Sequence, residues 1–281
     1  MWGVIYVLPW LIGFVLFFFI PLLASLRYSM STIQANAEGI AIQFNGVANY
    51  IQALTVNTSF NRALIEAITD VLINVPLIVI FSLFLAVILN QKFRGRAVAR
   101  SIFFLPVILA SGVIMTLEST SLIEAVNQSS TGGSSLGTFE LENLMVNAGV
   151  SDWIVTYLSS AVDRIYQIVS QSGVQILIFL AGIQTISPQL YEASKMEGAT
   201  GYEAFWKITF PMVSPLIFVN AIYTIIDSFA NNAMTELIRD TGFVKFDFGL
   251  SSAMAWVYFL AIAIILVIVN IIFSKRVFYQ D

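Results

Sequence analysis

The chain has 281 residues, of which 58% are hydrophobic and only 11% are charged. Soluble domains contain about 45–50% apolar and about 25% charged residues, so this composition excludes a soluble enzyme, a disordered chain and a nucleic-acid-binding protein as first interpretations. With a net charge of −4 and neither histidine nor cysteine, the chain also lacks disulfides, thiol nucleophiles and the usual general base.

Six apolar stretches are long enough, or nearly so, to cross a bilayer, since a crossing helix needs about 20 mostly apolar residues. In chain order they lie at about 4–26, 71–89, 102–117, 168–186, 210–229 and 254–273. The first stretch lacks the basic region and the cleavage site of a signal peptide. It begins almost inside the membrane, which leaves open a basic leader ahead of residue 1.

Two longer connections, at 27–68 and 119–167, are predicted on the same side of the membrane. The second is the longest, and its residues 128–135 read Gln-Ser-Ser-Thr-Gly-Gly-Ser-Ser, which is typical of a flexible loop. Residues 141–165 have helix-like apolar spacing. Because this segment is too long for a turn, we predict an external insertion at 119–167 with a helix pair in its later part.

The basic residues predict the orientation. Eight of the 13 fall on one side of the six crossings: Lys92, Arg94, Arg96, Arg100, Lys195, Lys207, Lys275 and Arg276. The other five fall on the opposite side: Arg27, Arg62, Arg164, Arg239 and Lys245. Since loops rich in Lys and Arg stay in the cytoplasm, both termini are predicted to be cytoplasmic in a multi-pass prokaryotic cell membrane protein.

The connection between the fourth and fifth stretches carries strong local signals. Ser187 is a candidate N-cap and Pro188 suits the first position of a short helix that runs to about Glu197. Gly198 can adopt a positive φ, which ends the helix and turns the chain. Gly201 adds backbone conformational freedom to the same turn.

A second short helix is predicted at about 202–208, with Phe205, Trp206 and Ile208 exposed, before Pro211 begins the fifth crossing. Two short amphipathic helices at an angle, held at the membrane surface by a crossing on each side, are typical of a docking element for a partner protein. Taken without the rest of the pattern, Gly198 between two short helices is also consistent with a simple turn at the membrane surface.

The stretch resembles the EAA loop of binding-protein-dependent ABC importer permeases, which reads Glu-Ala-Ala, three residues, Gly, nine residues, Ile, one residue, Leu-Pro. The residues in register are Glu192, Ala193, Ser194, Gly198, Ile208 and Pro211. Two positions depart from the pattern: Ser194 replaces the second Ala, and Phe210 replaces Leu. Both substitutions preserve small size or apolar character.

The longer form of the motif, from Tyr191 through Ala199, is similar to the carbohydrate-uptake branch of that family, which includes the maltose and glycerol-phosphate permeases. The opening of the chain, Leu-Pro-Trp-Leu-Ile-Gly-Phe at 8–14, and Arg-Ser-Ile-Phe-Phe-Leu-Pro at 100–106 also resemble this branch. The resemblance covers most of the chain, whereas the segments 27–68 and 119–167 add little to it.

The resemblance implies an all-α membrane protein, 1–281, with the six-transmembrane-helix type I ABC importer permease fold, a cytoplasmic coupling loop at 188–210 and an enlarged external loop. It implies a transporter subunit and no enzyme: a permease that moves a carbohydrate, in particular an oligosaccharide, by alternating access. The residues expected to couple to the ATPase are Tyr191, Glu192, Ala193, Ser194, Glu197, Gly198, Ala199, Gly201, Phe205, Ile208 and Pro211.

The family also implies partners. Two copies of an ATP-binding subunit would hold ATP and Mg, and this chain, which has no G-x-x-x-x-G-K-[ST] loop, would hold no cofactor or metal. A second permease subunit, related but different, and an external solute-binding protein complete the expected assembly. Lipid surrounds it, and no nucleic acid is expected.

Polar residues inside the crossings are candidates for the substrate path, because such residues usually face a cavity or each other. Asn220, Tyr223 and Asp227 share a helix face at i, i+3 and i+7, and amide, carboxylate and aromatic groups suit a sugar. Weaker candidates are Asn231, Asn74 and Gln175. Alternatively, Asp227 bonds within the bundle or is solvated near the outer headgroups, and Asn74 contributes to helix packing.

Three other functions stay open. An ion-gradient-driven secondary transporter would need paired intramembrane charges or inverted repeats, and neither is evident. A membrane-embedded enzyme would need catalytic groups, and the chain has no clustered acids at depth. The same importer type could carry a polyol or a phosphoester.

Overall fold

The computed structural model describes residues 2–36, 39–91, 93–98, 100–102, 145, 151–230 and 232–274. In chain order its helices and strands are α1 (Trp2–Phe14), α2 (Ile20–Ser29), β1 (Ser31–Asn36), β2 (Gly39–Phe44), α3 (Ala48–Ile51), α4 (Thr58–Asn90), α5 (Asp152–Gln171), α6 (Gly173–Thr185), α7 (Pro188–Met196), α8 (Gly201–Ala204), α9 (Phe210–Ala230), α10 (Ala233–Arg239) and α11 (Phe248–Ser274). Single π-helical turns lie at Val15–Phe19, Gln52–Val56, Phe205–Thr209 and Asp240–Val244.

Four continuous helices in the described part of the chain are long and apolar enough to cross a membrane. They are Tyr6–Ser29, Thr58–Asn90, Gly201–Ala230 and Phe248–Phe273. These helices contain the first, second, fifth and sixth predicted stretches, which confirms those four as helices of membrane-spanning length.

Several predictions fall on residues that the structure does not describe. They are the third crossing beyond residue 102, most of the insertion before residue 151, and residues 103–106 of the segment 100–106 that resembles the carbohydrate-uptake branch. Four single residues also fall outside the described ranges: Lys92, Asn231, Lys275 and Arg276. The number of six crossings and the helix pair at 141–165 therefore stay predictions, although α5 supplies one helix in the later part of that segment.

The fourth predicted crossing, at 168–186, falls on two helices joined at a bend rather than on one continuous helix. Helices α5 and α6 meet at Ser172 with a bend of 50°. The Ser172 hydroxyl donates to the carbonyl of Val169 at 2.8 Å, and such back-bonding, followed here by Gly173, competes with the helical ladder. Helix α6 alone, with 13 residues, is about 20 Å long, which is shorter than the hydrocarbon core.

One compact unit comprises Met1–Ile73 and Ile225–Lys275. In it, α11 packs against α2, β1 and α3. Asn49 is buried and its Nδ2 donates to the carbonyls of Ser29 and Ser31, each at 3.0 Å, which ties α3 to the start of β1. Gly249 of α11 lies so close to this junction that a Cβ there would overlap the backbone oxygen of Ser31.

Strands β1 and β2 of the same unit form an antiparallel pair from Ser31, opposite Phe44, to Asn36, opposite Gly39. This pair is the exception to the all-helical prediction within the described residues. The segment 39–44 reads Gly-Ile-Ala-Ile-Gln-Phe, whose β-branched residues alternate with period two, and that pattern predicts a strand. These positions lie in the connection at 27–68, for which no strand was predicted.

The second compact unit comprises Asn74–Thr224 and Arg276–Asp281. Its core contains the fully or nearly fully buried Ile78, Ile176, Phe179 and Val213. Gly182 of α6 contacts Leu216 of α9 so closely that a Cβ at this glycine would collide with the leucine side chain. The glycine therefore permits close approach of the two helices, and it holds the end of α6 beside the start of α9.

Candidate coupling site

Helix α7 begins where the sequence predicts and ends at Met196, one residue before the predicted end. Pro188 occupies the first helical position, where its missing N–H costs no hydrogen bond. Ser187 occupies the N-cap position, but its side chain forms no capping hydrogen bond. The predicted N-cap position is therefore confirmed, and the carbonyl of Ser187 accepts from the N–H of Leu190 at 3.1 Å.

The turn after α7 is a Schellman motif centred on Gly198. This glycine has φ +81°, a left-handed conformation that a residue with a Cβ adopts at a cost. Its N–H donates to the carbonyl of Lys195 at 3.0 Å, and the N–H of Ala199 donates to the carbonyl of Ser194 at 2.9 Å. The predicted glycine turn is confirmed, and these bonds satisfy two of the last carbonyls of α7.

The next helix begins immediately with a capping box that the sequence analysis missed. The N–H of Thr200 donates to Glu203 Oε2 at 2.9 Å, and the N–H of Glu203 donates to Thr200 Oγ1 at 3.3 Å. On the next helical turn, Lys207 Nζ lies 3.8 Å from Glu203 Oε1. The spacing Thr-x-x-Glu is the standard sequence signature of this cap and could have revealed it.

The prediction of a separate second short helix at about 202–208, with Pro211 beginning the next crossing, was wrong. Residues Gly201–Ala230 form one continuous helix through a π-helical turn at Phe205–Thr209. In that turn the N–H of Phe210 donates to the carbonyl of Phe205. A proline inside an α-helix clashes with the carbonyl four residues earlier, and the wider turn just before Pro211 relieves that crowding, so the helix continues.

A side-chain hydrogen bond links α7 to the base of this long helix. The hydroxyls of Tyr191 and Thr209 lie 2.9 Å apart, and Thr209 is buried. Ser194 Oγ donates to the carbonyl of Tyr191 at 2.9 Å. Together with the two caps, these bonds fix the direction of α7 relative to the helix that follows, so we call residues 187–211 the coupling elbow.

The coupling elbow presents much of α7 to solvent. Met196 is 89% exposed, and Leu190, Glu192 and Ala193 are exposed as well. A nine-residue helix with so little burial against its own chain is typical of a surface that a partner covers.

The aromatic residues of the coupling elbow are less open than predicted. Trp206 and Tyr202 are exposed, whereas Phe205 and Ile208 are only half-exposed. The ring of Trp206 contacts those of Tyr202, Phe205 and Phe210 at centroid distances of 6.3, 5.1 and 5.1 Å. The half-exposure follows from continuity of the helix, because successive turns stack their rings on one another.

Three of the predicted substrate-path residues are buried in the second unit: Asn74, Gln175 and Asn220. Gln175 Nε2 donates to Thr224 Oγ1 at 2.9 Å, and Thr224 Oγ1 donates to the carbonyl of Asn220 at 2.7 Å. Asn74 Oδ1, Gln175 Oε1 and both amide atoms of Asn220 have no partner within the described residues. The structure thus joins Gln175, Thr224 and Asn220 in one polar cluster between α6 and α9, a grouping that the sequence did not indicate.

The other predicted substrate-path residues are more open. Tyr223 is exposed and Asp227 is half-exposed on α9. Asn220, although it shares the i, i+3, i+7 pattern with them, is fully buried. The pattern alone did not reveal this difference, because burial depends on which helices pack alongside.

Residues 50–279 match the protein family described as "Binding-protein-dependent transport system inner membrane component". The chain is 29% identical over 300 residues to the probable ABC transporter permease protein YesP of Bacillus subtilis (strain 168), across 99% of this chain and 92% of the relative. It is 26% identical over 298 residues to the multiple sugar-binding transport system permease protein MsmF of Streptococcus mutans, across 98% and 96% of the two chains.

A solved structure shares the fold. The chain is similar to a chain of the bacterial alginate ABC transporter in complex with alginate pentasaccharide-bound periplasmic protein, with a TM-score of 0.63, 17% identity and coverage of 98% and 95% of the two chains. The predicted permease fold is confirmed by this likeness and by the family match. The chain therefore belongs to the family of binding-protein-dependent transport system inner membrane components, and it is a multi-pass permease subunit of an ABC importer, not an enzyme.

Proposed function

We propose that this permease imports a carbohydrate and is driven by a separate ATPase that docks on the coupling elbow. The proposal of a sugar cargo is supported by the name of the relative from Streptococcus mutans, a multiple sugar-binding transport system permease. The alginate transporter supports it less directly, because at 17% identity its likeness concerns the fold.

The observation that supports ATPase docking is the exposed helix α7, whose C-terminal end and middle are both fixed. A Schellman turn holds its C-terminal end, and the hydroxyl pair of Tyr191 and Thr209 ties its middle to the long helix. Because no flexible segment separates them, a displacement of α7 would move α9 as well. Closure of two ATPase subunits would move the crossing helices in this way.

The remaining partners follow from the same proposal. ATP and Mg would be bound by the ATPase subunits, a second, related permease would complete the path, and a solute-binding protein would deliver cargo on the opposite face. The basic side of the chain, which includes Lys195 and Lys207, would face the cytoplasm. Glu192, exposed on α7, would pair with basic groups of the ATPase.

The substrate path would follow the polar residues of α9. Tyr223 and Asp227 are accessible and offer an aromatic face and a carboxylate, which are the groups that hold sugar rings and hydroxyls. The buried amides of Asn74, Gln175 and Asn220 would line the path only if the helices separate during transport.

The cargo prediction is that oligosaccharides, delivered by the binding protein, raise ATP hydrolysis by the purified importer in proteoliposomes. A panel of oligosaccharides, polyols and phosphoesters distinguishes the cargo classes in one assay. Stimulation by a polyol or phosphoester alone would contradict the carbohydrate proposal but keep the ATP-driven mechanism. Uptake that survives ATP depletion and collapses with an ionophore would favour the secondary transporter instead.

A further inference from the structure

A cleft of about 490 Å³ lies between the end of α4, the segment around residue 100 and the start of α7. Three cationic side chains line it, those of Arg96, Arg100 and Lys195, against one carboxylate, that of Glu192. All of these elements belong to the same compact unit. The cleft therefore has an excess of positive charge on a protein whose net charge is −4.

Two of these cationic side chains have no polar partner among the described residues. Within the described residues, neither Arg96 nor Lys195 forms an ion pair or a side-chain hydrogen bond, and both are exposed. Arg100 is held in place, because its Nε and Nη2 donate to the carbonyl of Leu89 at 3.3 and 2.9 Å. No other hydrogen bond of that guanidinium involves the described residues, so its remaining N–H groups are available to an anion.

The cleft lies at the end of the apolar part of α4, the level at which lipid headgroups are expected. The apolar part of α4 ends at Leu89, and the next residue, Asn90, lines the cleft. A crossing helix ends where the hydrocarbon core gives way to headgroups. Ile183, Ile186 and Pro188 supply an apolar wall that suits a glycerol backbone and the first part of an acyl chain.

We propose that this cleft binds the phosphate of an anionic glycerophospholipid, with Arg96, Arg100 and Lys195 as its cationic ligands. Basic pockets between membrane helices are a recurrent form of lipid headgroup site. Because Lys195 belongs to α7, a bound lipid would join the membrane surface to the coupling elbow. The proposal is independent of the cargo and requires only that α4 crosses the membrane.

The test is native mass spectrometry of the purified importer, titrated with phosphatidylglycerol or with phosphatidylcholine. Each basic residue near an anionic lipid contributes about a fivefold gain in affinity, so the double variant Arg96→Gln/Lys195→Gln is expected to weaken phosphatidylglycerol binding about 25-fold. Each single variant should lose about fivefold. Arg100 is left intact because it caps α4.

The matched control is Arg94→Gln, which removes an exposed cation from the same connection but not from the cleft, and it should leave binding unchanged. Equal binding of phosphatidylcholine, or equal losses in Arg94→Gln and the double variant, would overturn the proposal. Displacement of the lipid by inorganic phosphate at low concentration would identify a soluble phosphate ester as the ligand and would also overturn it. The binding assay needs no transport, so its failure is separate from a failure of the proposed function.

Discussion

Replacing Gly198 with aspartate is expected to abolish uptake while the protein still inserts into the membrane. Gly198 has φ +81°, and, apart from its chain neighbours, no atom of the described residues lies within 4 Å of the position that a Cβ would occupy. The new Cβ would therefore meet no other described residue, and the side chain would project from the turn after α7. It would place a negative charge and about 1–2 kcal/mol of backbone strain at the surface proposed for the ATPase.

The measurement is uptake of whichever sugar stimulates ATP hydrolysis, together with the amount of permease in the membrane. The matched control is Gly46→Asp, because Gly46 also has a positive φ, of +61°, and open surroundings, but follows β2 in the segment predicted to be external. Gly198→Ala separates strain from charge. Full uptake by Gly198→Asp would refute the coupling role of this turn.

Replacing Gly249 with valine should destabilise the first compact unit by about 2–3 kcal/mol, as overpacking of a tight contact does. The added Cβ would overlap the backbone oxygen of Ser31 and press on the amide of Asn49. That amide donates to the carbonyls of Ser29 and Ser31, so relief of the clash would break bonds that hold α3 to β1. Backbone atoms cannot move aside as a flexible side chain can.

The measurement is the thermal unfolding midpoint of the detergent-purified protein. Gly13→Val is the matched control, since Gly13 lies in an apolar helix and, outside the backbone of that helix, no described residue lies within 4 Å of its Cβ position. The control should unfold within a few degrees of wild type. An unchanged midpoint for Gly249→Val would mean that α11 and β1 are not packed as described.

The sequence predicted those features of the fold that depend on local composition. Apolar length identified four membrane-length helices, and a lone glycine between helix signals identified the turn at Gly198. It did not predict the bend at Ser172, because a serine hydroxyl that bonds its own helix leaves no trace in an apolar run. The strand pair at 31–44 was not predicted, because the segment was assigned to the connection at 27–68 and its short alternating pattern was not considered.

The candidate site residues were likewise predicted where local sequence determines them and missed where helix packing does. Proline at 211 suggested a helix start, but a π-helical turn before it allows one helix to continue, which depends on backbone geometry rather than on composition. The spacing of Asn220, Tyr223 and Asp227 gives one helix face correctly, yet only the packing of α6 determines that Asn220 is buried and joined to Gln175 through Thr224. Residue spacing predicts which side chains share a face of a helix. Which of those faces is buried depends on the helices that pack against it.

Docking of a separate ATPase on α7 can be tested with introduced cysteines. The chain has no cysteine, so Met196→Cys introduces a single thiol at a position that is 89% exposed. Val47→Cys serves as the control, because Val47 is exposed in the segment predicted to lie on the opposite side.

The decisive measurement is maleimide labelling of both variants, with and without the ATPase subunits. We expect that assembly protects Cys at 196, that a short bifunctional crosslinker then joins the permease to the ATPase through it, and that Cys at 47 labels equally in both states. Equal labelling of position 196 in the free and assembled permease, with no crosslink to the ATPase, would contradict docking on α7.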